Sequence, residues 1–275
     1  MSKRIGIVPH LFARPLIESA KSGSNGAGQR LFAFETGEYA QLALQLRQGN
    51  LDGAFLSPIE YARLNDPFDR RRSESAQSGY AHFRIVPGVC AASEGESGAA
   101  VLVFKEHLRD VKNVLIDPRF PSEIVLLRLV LAEKFDSHPQ LVPASKISET
   151  ALKTNDAALL VDRDALQYHE HQNKIDLIDE WSDLTDAQFI HGFWAAGETA
   201  LSGEEAGGLA STTSPDDLRE LPEPEKEYLS NFSYAFDDRA VSGLNEFFRM
   251  AYYHGVLQEI PDVRFHDAEG SQPAA

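Results

Sequence analysis

The sequence predicts an α/β protein of two lobes with a cleft between them. Three observations carry that expectation. Strand and helix patterns alternate through most of the chain; the strand segments, such as Gly53–Leu56 and Ala157–Val161, are short and apolar; and two longer apolar segments, 80–92 and 189–196, stand where the chain would pass between lobes. Alternating strands and helices call for parallel pairing, since a crossover helix brings the chain back in the same direction. The division read from this pattern is 1–92 with 197–275 for the first lobe and 93–196 for the second.

The first lobe opens with RIGIVPHLFARPL, residues 4–16. Ile5 to Val8 reads as a strand, Pro9 cannot donate to a ladder, and Pro15 suits the first turn of a helix. Ligands of open α/β sheets lie off the carboxyl ends of the strands, so residues 10–14 would face one. A flexible 22–28 connection, a strand at 31–34 and an amphipathic helix over 37–48 follow, the helix carrying Tyr39, Leu42, Ala43 and Leu46 on one face and ended by Gly49. Gly53–Leu56 is a buried strand, and Ser57-Pro58 opens the next helix. The polar segment 66–79, with Arg70, Arg71 and Arg72, reads as a solvated excursion rather than an anion site. Strands at 80–92 and 99–104, joined by the turn 93–98, form a hairpin-like pair that would cross between lobes.

In the second lobe, strands are expected at 111–116, 141–142 and 157–161. A helix over 124–135, amphipathic through Leu126, Leu127, Val130 and Leu131, takes Ser122 as its N-cap. A helix is expected at 147–153, then helix, strand and helix to Trp181, and the strand 189–196 returns the chain to the first lobe. Residues 202–224 read as loop or short helix, Asp237-Asp238 as the start of a helix ended by Gly255, and 267–275 as a frayed tail.

A chain of 275 residues with 43% hydrophobic content is long enough for one large domain or two lobes. A net charge of -16 repels phosphate, so neither nucleic acid nor an anionic membrane is an expected partner; an acidic ligand needs local cations or helix N-termini. One cysteine, Cys90, allows no internal disulfide and no thiolate metal cluster. The apolar run after Lys3 and Arg4 is too short for a secretory core, and no run approaches a membrane span, so a cytoplasmic location is expected.

Motifs for nucleotide binding, zinc hydrolysis, serine hydrolysis and thiol redox chemistry are missing from the sequence. His169-Glu170-His171 places its two imidazoles on diverging directions of a helix and reads as a solvated face, with no metal expected. His191 in an apolar strand fits either a ligand contact or a hydrogen-bonded core histidine, and Asp117, Asp162, Arg163 and Asp164 sit at strand ends, where pocket residues and turn caps both occur.

Several segments follow one another as they do in the chorismate dehydratases of the futalosine route to menaquinone: GNLDGAFLSPIEY, IVPGVCAASEGESGAAVLVF, IDPRFPSEIVLLRLVLAEKF, AALLVDRDAL, DLIDEWSDLT with FWAA, and EFFRMAYYHGVLQEIPDVRF. The opening RIGIVPHLFARPL is also similar, so the resemblance spans nearly the whole chain. It implies a type II periplasmic-binding-protein-like fold, with mixed sheets flanked by helices and a ligand in the cleft. It further implies a carbon–oxygen lyase that removes water from chorismate to give 3-[(1-carboxyvinyl)oxy]benzoate. No metal or organic cofactor takes part, and the substrate's own carboxylate is thought to act as base.

Carried over position by position, the resemblance marks His10, Phe12, Arg14, Ser57, Glu60, Ala100, Arg119, Ser122 and Asp162 as substrate-binding positions. Several depart from the family pattern. Where the family has an Asn before the first helix, Phe12 stands; where it has a Ser at the start of the strand after the Gly-rich turn, Ala99 or Ala100 stands. The Ser/Thr-rich turn has become Pro118, Arg119, Phe120 and Pro121, keeping Ser122; Gly-Asp has become Asp162-Arg163; and Gly-Leu-Pro before Phe189 has become Asp186, Ala187 and Gln188. Each lost positioning contact costs about 1 to 3 kcal/mol; Arg14, Arg119, Arg163 and His10 are the cations available to offset it. A lyase with an altered pocket and a non-catalytic cytoplasmic binding protein for a small carboxylate or aromatic ligand are therefore both expected from the residues. The sibling lyase that makes dihydroxynaphthoate opens with a Ser-Pro-Cys-Pro-Asn type loop, which this chain lacks. Oligomeric state is not legible from the sequence.

Overall fold

The computed structural model of the chain describes residues 2–23, 31–66, 82–144, 147, 153–167 and 171–266. Two mixed sheets organise it. The first holds β1 (Lys3–Ile7), β2 (Phe32–Thr36), β3 (Gly53–Leu56), β4 (Phe83–Ser93), β10 (Phe189–Gly197) and β11 (Phe232–Phe236), in the order β11-β4-β10-β3-β1-β2. The second holds β5 (Ala100–Phe104), β6 (Asn113–Ile116), β7 (Gln140–Pro143), β8 (Ala157–Val161) and β9 (Lys174–Asp176), in the order β7-β6-β8-β5-β9. Pairing is parallel between β1 and both β2 and β3, and between β6 and both β7 and β8. It is antiparallel wherever β10, β4, β11 or β5 takes part.

The helices of the first lobe are α1 (Arg14–Ser22), α2 (Tyr39–Arg47), α3 (Pro58–Asn65), α7 (Gly203–Leu209), α8 (Glu223–Ser230) and α9 (Asp238–Tyr253), and those of the second are α4 (Pro121–Phe135), α5 (Arg163–Gln167) and α6 (Leu177–Thr185). Local chemistry fixes their ends. Ser57 caps α3 by accepting from the Glu60 amide, and Asp237 caps α9 by accepting from Arg239 and Ala240. Gly49 and Gly255, at φ 72° and 69°, turn the chain out of α2 and α9 in the left-handed region that glycine adopts without strain. The core between the helices and the first sheet is largely aromatic: Tyr61 packs edge-on to Phe193 and near-parallel to Phe248, while Phe189 and Trp181 pack against Phe247. Burying each such ring contributes about 1.5 to 3 kcal/mol. Gly243 lets α9 lie on the segment before β10, where an added Cβ would come within 2.2 Å of the Gln188 carbonyl oxygen.

Several expectations need correction. The segments 80–92 and 99–104 form no hairpin: β4 lies in the first sheet and β5 in the second. The turn between them, with Gly95 and Gly98 both at positive φ, redirects the chain, and the Gly98 amide is taken by Asp176. Since β10 belongs to the first sheet, the chain returns to that lobe at residues 186–188. Ser122 is no N-cap; Phe120 stands at that position, and Ser122 lies inside α4. Nor is α4 amphipathic, because Val125, Leu126, Leu127, Leu129, Val130 and Leu131 are buried around most of its circumference. The segment read as loop or short helix over 202–224 does contain a short helix, α7; what the reading lacked is α8, which Pro222 and Pro224 start, and β11 after it. Arg70 to Arg72, most of the 22–28 connection, the helix expected at 147–153 apart from residues 147 and 153, His169, Glu170 and the 267–275 tail lie outside the described residues.

Candidate functional site

The site lies at the seam between the lobes, where the loop after β1 meets the end of β8. After Pro9 the chain passes through His10 into a 3-10 turn, Leu11–Ala13, which runs directly into α1. Amides at such a start have no partner within the helix. Asp162, from the opposite lobe, supplies one: its carboxylate accepts from the Leu11 amide at 2.8 and 3.0 Å and from the Phe12 amide at 3.2 Å. Asp162 is 5% exposed and adopts φ 58°, an unusual conformation for a residue with a side chain. Burial pushes its carboxyl up to about 6, against the lowering effect of the Leu11 amide, the Arg163 charge and the Phe12 amide.

Aromatic side chains enclose this contact. The His10 ring lies 4.6 Å from Phe120 of the second lobe, 5.1 Å from Tyr39 and 5.4 Å from Phe12, centroid to centroid. Phe12 stacks near Phe232 at 6.1 Å, and Phe232 meets Tyr228 at 5.0 Å. Burial, helped by the charges of Arg119 and Arg163, pushes the His10 imidazole down to about 3, so it is neutral at physiological pH. Two polar atoms within this ring of aromatics, His10 Nε2 and the Tyr228 hydroxyl oxygen, are buried without a hydrogen-bond partner. Tyr234 closes the rim by donating its hydroxyl to the Phe12 carbonyl at 3.2 Å.

The nine positions marked in the sequence do not converge equally. His10, Phe12 and Asp162 meet at the seam. Ala100 pairs in register with Val161, next to Asp162, whose own amide donates to the Ala99 carbonyl at 3.4 Å. Ser122 joins the lobes a short way off, its hydroxyl oxygen accepting from the Ile59 amide at 3.1 Å, near Ser57 at the start of α3. The others are held by partners of their own. Glu60 pairs with Arg63 on α3, Arg14 with Glu220 at 3.5 Å, and Arg119 chelates Asp117 while its guanidinium covers the Phe120 ring at 5.7 Å. Arg163 ties the second lobe to α8 through Glu225 at 2.9 Å.

Of the two readings of His191, the hydrogen-bonded core histidine is the one observed, in a buried chain whose partners the sequence did not indicate. Glu123 Oε1 lies 2.8 Å from His191 Nδ1, and His191 Nε2 lies 2.8 Å from the Ser93 hydroxyl, which in turn accepts from Ser97. A carboxylate only accepts, so Nδ1 carries a proton and Nε2 is left for the Ser93 hydroxyl. The order Ser–His–Glu matches that of an acyl-transfer triad, yet Ser93 is 2% exposed and the other two not at all, so the chain acts as a polar brace between α4, β10 and β4. The sequence signal for it was weak: His191 inside an apolar strand, and a glutamate on the first turn of an apolar helix. Beside the seam a cavity of about 610 Å³ opens, lined by residues of both lobes including Ser97, Gly98, Asp176, Tyr228 and Asn231. Among the described residues no group of three or more His, Cys, Asp or Glu side chains is placed to hold a metal ion. None of the described helices is long and apolar enough to cross a membrane. His171, from the histidine pair noted in the sequence, bonds through Nδ1 to the Asn173 carbonyl.

Two mixed α/β sheets joined by crossing segments, with a helix N-terminus facing the seam, define the periplasmic-binding-protein-like class, and the comparisons agree. Protein AF1704 of Archaeoglobus fulgidus superposes with a TM-score of 0.66 at 18% identity, over 93% of this chain and 98% of that one. The periplasmic aliphatic sulphonate binding protein SsuA of Escherichia coli gives 0.60 at 15%, over 95% of each chain. The Candida albicans CA3427 gene product, described as having the generic periplasmic binding protein fold, gives 0.62 at 12%, over 98% and 99%. Within that fold, the chain belongs to the menaquinone biosynthesis family, whose model matches residues 3–214. No curated protein matches the sequence.

Proposed function

We propose that the chain is a cytoplasmic, cofactor-free carbon–oxygen lyase of the chorismate dehydratase type, converting chorismate to 3-[(1-carboxyvinyl)oxy]benzoate in the futalosine branch of menaquinone synthesis. Family membership supports the pathway, and one observation at the seam supports the substrate class: the Leu11 and Phe12 amides already hold a carboxylate, that of Asp162. Backbone amides at a helix start are a natural seat for an anion. The unpartnered Tyr228 hydroxyl adds a donor and His10 Nε2 a further polar contact, and the surrounding rings suit a flat carbocycle. Loss of the ring hydroxyl aromatises the product, so the demand on the protein is to orient the substrate and exclude water rather than to supply strong acid–base chemistry.

A second reading has its own support. Phe12 and Ala100 offer no side-chain hydrogen bond where the family offers two, which favours a binding protein for a small carboxylate or aromatic ligand without turnover. Incubating purified protein at high concentration with chorismate separates the two. Release of the enolpyruvyl benzoate, read by chromatography, establishes the lyase; a flat time course with a chorismate-induced thermal shift establishes binding alone. Neither product nor shift refutes both.

A further inference from the structure

We infer that Asp162 is a built-in occupant of the carboxylate site, and that an external carboxylate enters by displacing it from the Leu11 and Phe12 amides. The inference rests on the reading of the seam as a carboxylate site and concerns what controls access to it. Its basis is geometric. A single carboxylate crosses from one lobe to the other, satisfies two amides of a helix start, and is buried to 5% exposure. Its backbone stands at φ 58°, a conformation that aspartate tolerates but that glycine adopts freely. Beside it, the Tyr228 hydroxyl is a buried donor, and His10 Nε2 a buried polar atom, that Asp162 does not satisfy. A carboxylate too short to reach every donor occupies a seat that a larger carboxylate would fill more completely.

The occupant is titratable, and this makes displacement measurable. The groups facing it are Arg163 on its own element, His10 and the Leu11 and Phe12 amides on the loop after β1, Tyr39 on α2, Tyr228 on α8 and Tyr234 on β11, with Arg119 and Glu123 beyond them. Buried, Asp162 titrates near 6; released to water, it returns to the ordinary 3.8. Protonation thus favours the occupied state, and displacement between pH 4 and 6 sheds a proton. External carboxylates therefore bind more tightly as pH rises through 6. From pH 5 to pH 7 the gain attributable to Asp162 is about tenfold, since pH 5 lies about one unit below the buried value and each unit is a tenfold factor in the equilibrium.

The test uses benzoate, which stays ionised across this range, and calorimetric titration of the full chain and of Asp162→Asn at pH 5 and pH 7. Asparagine tolerates the same backbone conformation and has no charge to titrate. His10 and every other group are common to both proteins, so the ratio of the two affinities isolates Asp162. A ratio that shifts about tenfold toward the wild type at pH 7 supports the inference; a ratio constant within twofold overturns it. Asp162→Gly, which removes the occupant, should bind benzoate at least tenfold more tightly than wild type at pH 7, and equal binding overturns the inference. Hydrogen exchange of the Leu11 and Phe12 amides supplies a readout without ligand: faster exchange in Asp162→Gly supports it, and unchanged protection refutes it. Failure of chorismate turnover with these shifts intact would instead count against the lyase alone.

Discussion

Replacing His10 with phenylalanine tests the electrostatics of the seam more directly than any activity assay. In the folded protein the imidazole is held near 3 by burial among Phe12, Tyr39 and Phe120, with Arg119 and Arg163 adding to the effect; unfolded, it titrates at the ordinary 6.5. Below pH 6.5 the unfolded chain takes up a proton that the folded one refuses. The stability this group contributes is complete above pH 6.5 and is lost as pH falls, at about 1.4 kcal/mol per pH unit. Between pH 7.5 and pH 5 the loss amounts to about 2 kcal/mol. Asp162 works in the opposite direction. Its folded value near 6 exceeds the unfolded 3.8, so its contribution grows as pH falls through 6, by about 1.4 kcal/mol by pH 5.

The two slopes largely cancel in the wild type, which is why single variants are needed to expose them. Urea unfolding at pH 7.5 and pH 5 gives four free energies for each wild-type and variant pair. For His10→Phe, the variant should gain about 2 kcal/mol relative to wild type on going from pH 7.5 to pH 5, because it lacks the group that is penalised by acid. For Asp162→Asn the relative change should be about 1.4 kcal/mol in the other sense. Carboxylates elsewhere cancel in each difference. A His10→Phe difference that moves by less than about 0.5 kcal/mol between the two pH values would mean that the imidazole is hydrated in the folded protein, and the description of the seam would be wrong.

Other perturbations rank the contacts around the seam. Ser93→Ala strands His191 Nε2 in the core and should cost about 1 to 3 kcal/mol in thermal unfolding. Glu123→Ala leaves the Nδ1 proton on the other side of the same ring without an acceptor and should also cost about 1 to 3 kcal/mol; equal stability for both variants and wild type would show the brace to be incidental. Arg163→Ala, which loses a partly exposed pair with Glu225, should change stability by less than about 1 kcal/mol. Two glycines should separate cleanly: Gly243→Ala drives a Cβ to 2.2 Å from the Gln188 carbonyl oxygen and should abolish soluble expression or lower the melting temperature steeply, whereas Gly207→Ala, in α7 with nothing within 4 Å, should stabilise by about 0.4 to 1 kcal/mol.

The fold was largely legible because its rules are local. Gly53–Leu56 and Ala157–Val161 coincide with the strands read from the sequence, and the Ser57-Pro58 and Asp237 starts follow from capping chemistry alone. Reading failed where local cues mislead. Pro222 and Pro224 closed a segment read as loop or short helix, although proline at a helix start is favourable, and α8 with its Tyr228, which begins there and runs on to Ser230, was missed. Ser122 has the chemistry of a cap, yet its hydroxyl is used across the seam by Ile59, 63 residues away. The site itself is harder still, because its defining bonds join residues 150 and 151 positions apart. Position at a strand end marked Asp162 as a candidate, but nothing in the sequence says that its carboxylate reaches the opposite lobe, or that His191 is hydrogen-bonded to Glu123 in the core.

Which seam contacts hold the lobes together can be decided by magnitude. The ion pairs of Arg163 with Glu225 and Arg14 with Glu220 are partly exposed and contribute less than about 1 kcal/mol each. Hydrogen bonds from amides to a buried carboxylate contribute about 1.5 to 3 kcal/mol each, against the cost of burying the charge. The group that crosses the seam is the one inferred to fill the carboxylate seat, so on that inference a ligand that takes the seat must also replace this cross-lobe contact. This bears on the substitutions that set the chain apart from the family pattern. Phe12 and Ala100 remove side-chain donors, but the Leu11 and Phe12 amides belong to the backbone and survive any substitution except proline. On the proposed reading, carboxylate recognition through these backbone amides resists sequence drift better than turnover, which would depend on the side chains.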